Sequence, residues 1–132
     1  MSTVARPPEQ GLTARESQLM EVIWDAGQVT VEELRDRLEV DLAGSTLRTL
    51  LAILESKGYV RTTKRGRANV YVPVTAREEA QADAVKTLTE RLFRGSASGL
   101  LSRLVEDEEI TLEELDRLRR KLRGRQKEGE TQ

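Results

Sequence analysis

The sequence predicts a mainly α fold with one small β-hairpin: three short helices, the hairpin, then further helices. Three observations lead there. A T-x-x-E spacing recurs at Thr13/Glu16, Thr30/Glu33, Thr75/Glu78 and Thr111/Glu114, each ahead of apolar residues at helical period. Leu47, Leu50, Leu51 and Leu54 form the i, i+3, i+4, i+7 stripe of a core-facing helix. Between these helical stretches, residues 59–63 and 69–73 change to a period of two around Arg65-Gly66-Arg67.

Residues 1–11 hold Pro7, Pro8 and Gly11 without an apolar period and read as a flexible tail. A first helix from Ala14 to Asp25 buries Leu19, Met20, Val22, Ile23 and Trp24, and Gly27 stops it. Trp24, at helical spacing among apolar neighbours, reads as core and not as a stacking platform. Val29 begins a short extended link. The second helix runs from Val31 to Leu38, with Leu34 and Leu38 on one face. The third runs from Thr46 to Lys57, capped by Ser45 and ended by Gly58. In the hairpin, Val60, Val70 and Val72 are expected to face the core, with Arg61 and Thr63 outward. Three helices and a hairpin with cations at its tip, over residues 12–74, make the order of a winged helix-turn-helix.

Helix resumes after Thr75, with Ala80, Ala84, Val85, Leu88 and Leu92 along one face. Thr87 and Glu90 repeat the capping spacing inside this continuing pattern and mark no new start. Gly95-Ser96-Ala97-Ser98-Gly99 is a small-residue break. Leu100, Leu101, Leu104 and Val105 fit a short helix, and Leu112, Leu115, Leu118 and Leu122 a last one. From residue 124 to 132 the chain is polar and is expected to fray.

The composition excludes much chemistry. Among 132 residues there is no cysteine and no histidine, so no disulfide, thiolate site, Ser-His-Asp triad or His-rich zinc site can form. No metal-ligand spacing or phosphate-cradling Gly-rich loop is visible, so neither a cofactor nor an enzymatic activity is expected. No apolar run suits a membrane span and no signal pattern opens the chain, which points to the cytoplasm.

The net charge of −1 conceals a segregation. Residues 1–44 carry four Lys/Arg against nine Asp/Glu, residues 45–74 six against one, and residues 75–132 twelve against thirteen. A segment of net +5 in an acidic surround suits a polyanion. The third helix of a helix-turn-helix lies in the major groove. Thr46, Arg48 and Thr49 are therefore assigned to base edges: short hydroxyls serve several bases, and Arg grips guanine O6 and N7. Ser45 lies nearer a phosphate, and Lys64, Arg65 and Arg67 on the hairpin tip suit backbone or minor-groove contact. For each residue alone, a solvated surface is the alternative reading.

Beyond residue 74 the chain has little left to cover its own stripes. Val85, Leu88, Leu92, Leu100, Leu101, Leu104, Leu115, Leu118 and Leu122 are expected to pair with a second copy, making residues 75–123 a dimerisation region. A non-enzymatic helical protein-interaction module is the rival to a DNA reader.

Three stretches, LTARESQLMEVIWDAGQVTVEELRDRL, STLRTLLAILESKGYVRTTKRGRANVYVPV and FRGSASGLLSRLVEDEEITLEELDRLRRKL, together resemble the BlaI/MecI penicillinase-repressor family over Leu12 to Leu122. The resemblance implies a dimeric winged-helix repressor on two-fold operators, commonly with TACA/TGTA half-sites. It also implies a regulatory protease that cuts at an Asn-Phe bond, which aligns with Arg103–Leu104 and has no Asn-Phe counterpart here. The cysteine cluster of the CopY-type copper sensors is missing, which rules out thiolate copper sensing. Ile53 replaces a residue that is often polar in relatives; packing beside the second helix and contact with a thymine methyl both remain open.

Overall fold

The computed structural model describes residues 11–130, with side chains through Gln126. Its elements are α1 (Ala14–Ala26), α2 (Val31–Arg37), α3 (Gly44–Lys57), β1 (Val60–Arg65), β2 (Ala68–Pro73), α4 (Arg77–Leu92), α5 (Ala97–Glu106) and α6 (Leu112–Glu130). The described residues fall into two compact units, one through Val85 and one from Lys86, a division that lies inside α4.

In the first unit, α1 and α2 begin as their sequences dictate. The Thr13 hydroxyl accepts from the Glu16 amide at 3.1 Å while the Glu16 carboxylate accepts from the Thr13 amide at 2.9 Å, and Thr30 and Glu33 repeat both distances. Each box satisfies helix-end donors that would otherwise lack partners. Leu19, Met20 and Ile23 from α1, Leu34 from α2 and Leu47, Leu51 and Leu54 from α3 are fully buried against Val29, Val31, Tyr59 and Val60. Burying each such side chain contributes about 1.5–3 kcal/mol. Val22, Trp24, Leu38 and Leu50 pack around that cluster and stay half-buried.

The start of α3 departs from expectation. Its cap is Ala43, without a side-chain bond, and the helix opens at Gly44. Leu47, drawn into the core, bonds the Ala43 carbonyl at 3.0 Å, which pulls Ser45 into the first turn. Gly58, at φ 90°, ends the helix in the left-handed region that glycine enters at no steric cost.

β1 and β2 pair antiparallel, and Val29 adds a bridge to Tyr71 through bonds of 3.1 and 2.8 Å. Their register overturns the simple inward-outward assignment. Val72 lies opposite Arg61 and Val70 opposite Thr63, so each pair shares a face of the sheet. Val60 and Val70, on opposite faces, are both buried, while Val72 is half-buried and Tyr71 packs on the core.

Thr75 is not the cap of α4. It is buried, its hydroxyl donates to the Gly58 carbonyl at 3.0 Å, and the Ala76 amide donates to Glu79 at 2.9 Å. The demand of the α3 terminus for a donor outweighs the local spacing. Trp24 lies beside this junction: its indole N–H donates to the Thr75 carbonyl at 2.9 Å. The Arg77 guanidinium sits 5.4 Å from the Trp24 ring centroid while pairing with Glu21 at 2.9 Å and Asp25 at 2.7 Å.

In the second unit the break is shorter than expected. Arg94 and Gly95 take positive φ and Ser96 caps α5 by accepting from the Gly99 amide at 2.9 Å, so Ala97-Ser98-Gly99 already belongs to the helix. Thr111 and Glu114 close the expected box at 2.8 and 3.1 Å. α6 then continues to Glu130, through the segment expected to fray. One glycine, Gly124, costs a helix about 1 kcal/mol, and the surrounding Arg, Gln, Lys and Glu are good helix formers. The expected N-terminal tail lies outside the described residues except for Gly11.

Candidate nucleic-acid interface

α3 divides into two faces. Leu47, Leu51 and Leu54 are fully buried, whereas Ser45, Thr46, Arg48 and Thr49 are all exposed. Nothing among the described residues of the first unit covers the polar side. The Thr49 hydroxyl donates to the Ser45 carbonyl at 3.1 Å, which commits its proton but leaves its lone pairs open to a donor. Arg48 runs back along the first turn: a Cβ on Gly44 would lie 3.3 Å from Nη1. Side chains on a helix lean toward its N-terminus, so a glycine one turn earlier clears the path. A helix expected to start at Thr46 leaves Gly44 outside it, so this clearance is not visible in the sequence. Ile53 is also exposed, on the outer side of α3, which leaves it available to a groove.

The hairpin tip is a tight turn of Gly66 and Arg67 between the paired Arg65 and Ala68, with φ 65° at Gly66. Positive φ at the first turn residue is what a type II′ turn requires. Lys64, Arg65 and Arg67 are exposed there. Glu55 fastens the strand to α3, accepting from the Thr62 amide at 3.2 Å and hydroxyl at 2.9 Å.

The structure redistributes the basic segment. Lys57 points inward, its ammonium 2.8 Å from Glu16 and 3.0 Å from the Gly11 carbonyl. Burial pushes the Glu16 pKa up, but the Lys57 hydrogen bond and the Thr13 amide outweigh it and leave Glu16 below the ordinary glutamate value. Arg65 pairs with Glu33 at 2.7 Å. Arg48, Arg61, Lys64 and Arg67 have no carboxylate partner among the described residues, and those residues contain no cluster able to hold a metal ion.

The family model described as penicillinase repressor matches residues 12–124. The chain belongs to the penicillinase repressor family. It is therefore a DNA-binding transcriptional repressor with a winged-helix fold, not an enzyme. An uncharacterised 16.5 kDa protein of Latilactobacillus sakei is 32% identical over 107 residues, covering 80% of this chain and 72% of that protein. The methicillin resistance regulatory protein MecI of Mammaliicoccus sciuri is 21% identical over 110 residues, 82% of this chain and 89% of that one. Among solved structures, the CopR repressor is 33% identical with a TM-score of 0.42, covering 48% of this chain and 96% of that one. The DNA-binding domain of the repressor BlaI is 28% identical with a TM-score of 0.45, covering 52% and 84%.

In the second unit, Leu88, Leu92, Leu101, Leu118 and Leu122 are exposed, as is Val85 at the end of the first. Leu100, Leu104 and Leu115 are half-buried. The Arg103–Leu104 bond lies inside α5, where Arg103 pairs with Glu106 at 3.4 Å and Asp107 at 3.7 Å. No described helix is long and apolar enough to cross a membrane.

Proposed function

We propose that the repressor acts in the cytoplasm as a homodimer on a two-fold symmetric operator, each protomer laying α3 along the major groove of one half-site. The observation that carries this reading is the division of α3: three leucines fully buried, and hydroxyls with a guanidinium exposed. Thr46, Arg48 and Thr49 read base edges, with TACA/TGTA-type half-sites as the family expectation. Ser45, Lys64, Arg65 and Arg67 hold the phosphates. The dimer forms through Val85, Leu88, Leu92, Leu100, Leu101, Leu104, Leu115, Leu118 and Leu122, whose exposed members a second copy covers. Seated on a promoter, it represses by excluding polymerase. A regulatory protease cutting at Arg103–Leu104 would need α5 to unwind locally, because a protease takes its substrate in extended form.

A salt titration against random duplex tests the electrostatic part. Binding through ~4–6 phosphates loses orders of magnitude in affinity between low and moderate salt. A flat salt response refutes DNA binding through this surface. Sedimentation tests the assembly: a dimer at micromolar concentration supports it, and a monomer refutes it.

A further inference from the structure

We propose that Glu33 sets the repressor's affinity for DNA by holding the wing arginine Arg65 in the free protein, so that binding exchanges this carboxylate for a phosphate. The inference rests on the reading of the hairpin as a backbone contact. Of the tip cations Lys64, Arg65 and Arg67, Arg65 alone is paired among the described residues, its Nη2 lying 2.7 Å from Glu33 Oε2. The two partners are not equally free to move. Glu33 is fixed on the first turn of α2, its Oε1 accepting from the Thr30 amide at 2.9 Å while its own amide donates to the Thr30 hydroxyl at 3.1 Å. Arg65 ends β1 on a long side chain next to the tight turn.

The Thr30 amide, and then Arg65, keep the Glu33 pKa below its ordinary value, so the group is an anion throughout the neutral range. With side chains 49% and 42% exposed, the pair sits in water. Exposed pairs change an equilibrium constant by up to about fivefold. That is weak enough to be exchanged and large enough to be read. The contact with Glu33 is a single Nη2–Oε2 bond, whereas a phosphate offers the planar guanidinium two oxygens, so the exchange loses no hydrogen bond. The exchange also leaves Glu33 to take up a cation from solution, which offsets about one of the ions released from the duplex.

The test compares the full-length wild type with Glu33→Gln, Arg65→Ala, the double variant and Glu32→Gln, by fluorescence anisotropy on a labelled mixed-sequence duplex across a salt series. Glutamine keeps the cap, because its amide oxygen accepts from Thr30 as well as a carboxylate does. Glu32 is an exposed neighbour on α2 outside the pair and controls for net charge. Glu33→Gln is expected to bind two- to fivefold tighter at low salt, with a log–log salt slope steeper by about 0.9. That gain should vanish in the Arg65→Ala background and exceed the gain from Glu32→Gln. Weaker binding by Glu33→Gln would show that Glu33 positions the wing and overturn the proposal. A gain that persists without Arg65, or that Glu32→Gln equals, would overturn it too. Wild type without salt-dependent binding, or Arg65→Ala indistinguishable from wild type, would instead remove the hairpin reading beneath it.

Discussion

Lys57→Met removes an ammonium from inside the first unit and leaves a carboxylate behind. Lys57 Nζ lies 2.8 Å from Glu16 Oε1 and 3.0 Å from the Gly11 carbonyl, with the two side chains only 14% and 4% exposed. Breaking a buried pair by deleting one partner costs about 3–5 kcal/mol, because the surviving charge stays desolvated. The Thr13 amide still donates to Glu16 at 2.9 Å, which brings the expected loss to roughly 2–4 kcal/mol. In urea unfolding followed by circular dichroism, this is a midpoint shift on the order of 1–2 M. The double variant Glu16→Gln/Lys57→Met, with no stranded charge, should recover part of it. The pH dependence has a definite sign. In the wild type the lowered Glu16 pKa adds stability above the ordinary glutamate value, and that stability is lost as pH falls through the folded value. Without Lys57, its hydrogen bond and its charge no longer lower the Glu16 pKa, so the folded value rises and the deficit of Lys57→Met should shrink near about pH 4. A loss within about 0.5 kcal/mol of zero at neutral pH, or a deficit as large in acid as at neutrality, would refute the buried-pair reasoning.

Two further experiments test other parts of the structure. Glu79→Ala should destabilise the protein by about 1 kcal/mol in thermal or urea unfolding while Glu78→Ala costs little, because Glu79 accepts from the Ala76 amide at 2.9 Å; the opposite order would restore Thr75 as the cap. Leu101→Glu, at a residue 41% exposed, should leave the helical signal intact and shift sedimentation from dimer to monomer; an unchanged dimer would move the interface elsewhere.

Much of this was legible in the sequence, and the failures at Thr75, the hairpin faces, Lys57 and Arg65 share one cause: partners distant along the chain. The capping boxes at Thr13, Thr30 and Thr111 formed as their spacing dictates, because cap and helix start are local. At Thr75 the same spacing misled, since the hydroxyl is claimed by the carbonyl of Gly58, 17 residues away. The leucine side of α3 was readable from period alone. The faces of β1 and β2 were not, because they depend on a cross-strand register that pairs Arg61 with Val72. Lys57 counted as part of a basic patch until its partner Glu16, 41 residues distant, drew it inward. The Arg65–Glu33 pair spans 32 residues and left no trace in either segment. The outward placement of Thr46, Arg48 and Thr49 was legible because outward residues on an amphipathic helix are fixed by the inward ones.

Selection of bound sequences from a random duplex pool, run in parallel on the wild type and Arg48→Ala, bears most directly on how this repressor recognises DNA. The wild type should enrich an inverted repeat, and Arg48→Ala should still bind but lose preference at one guanine-bearing position in each half-site. Recovery of the same motif at the same strength by both proteins would contradict base reading by the outer face of α3.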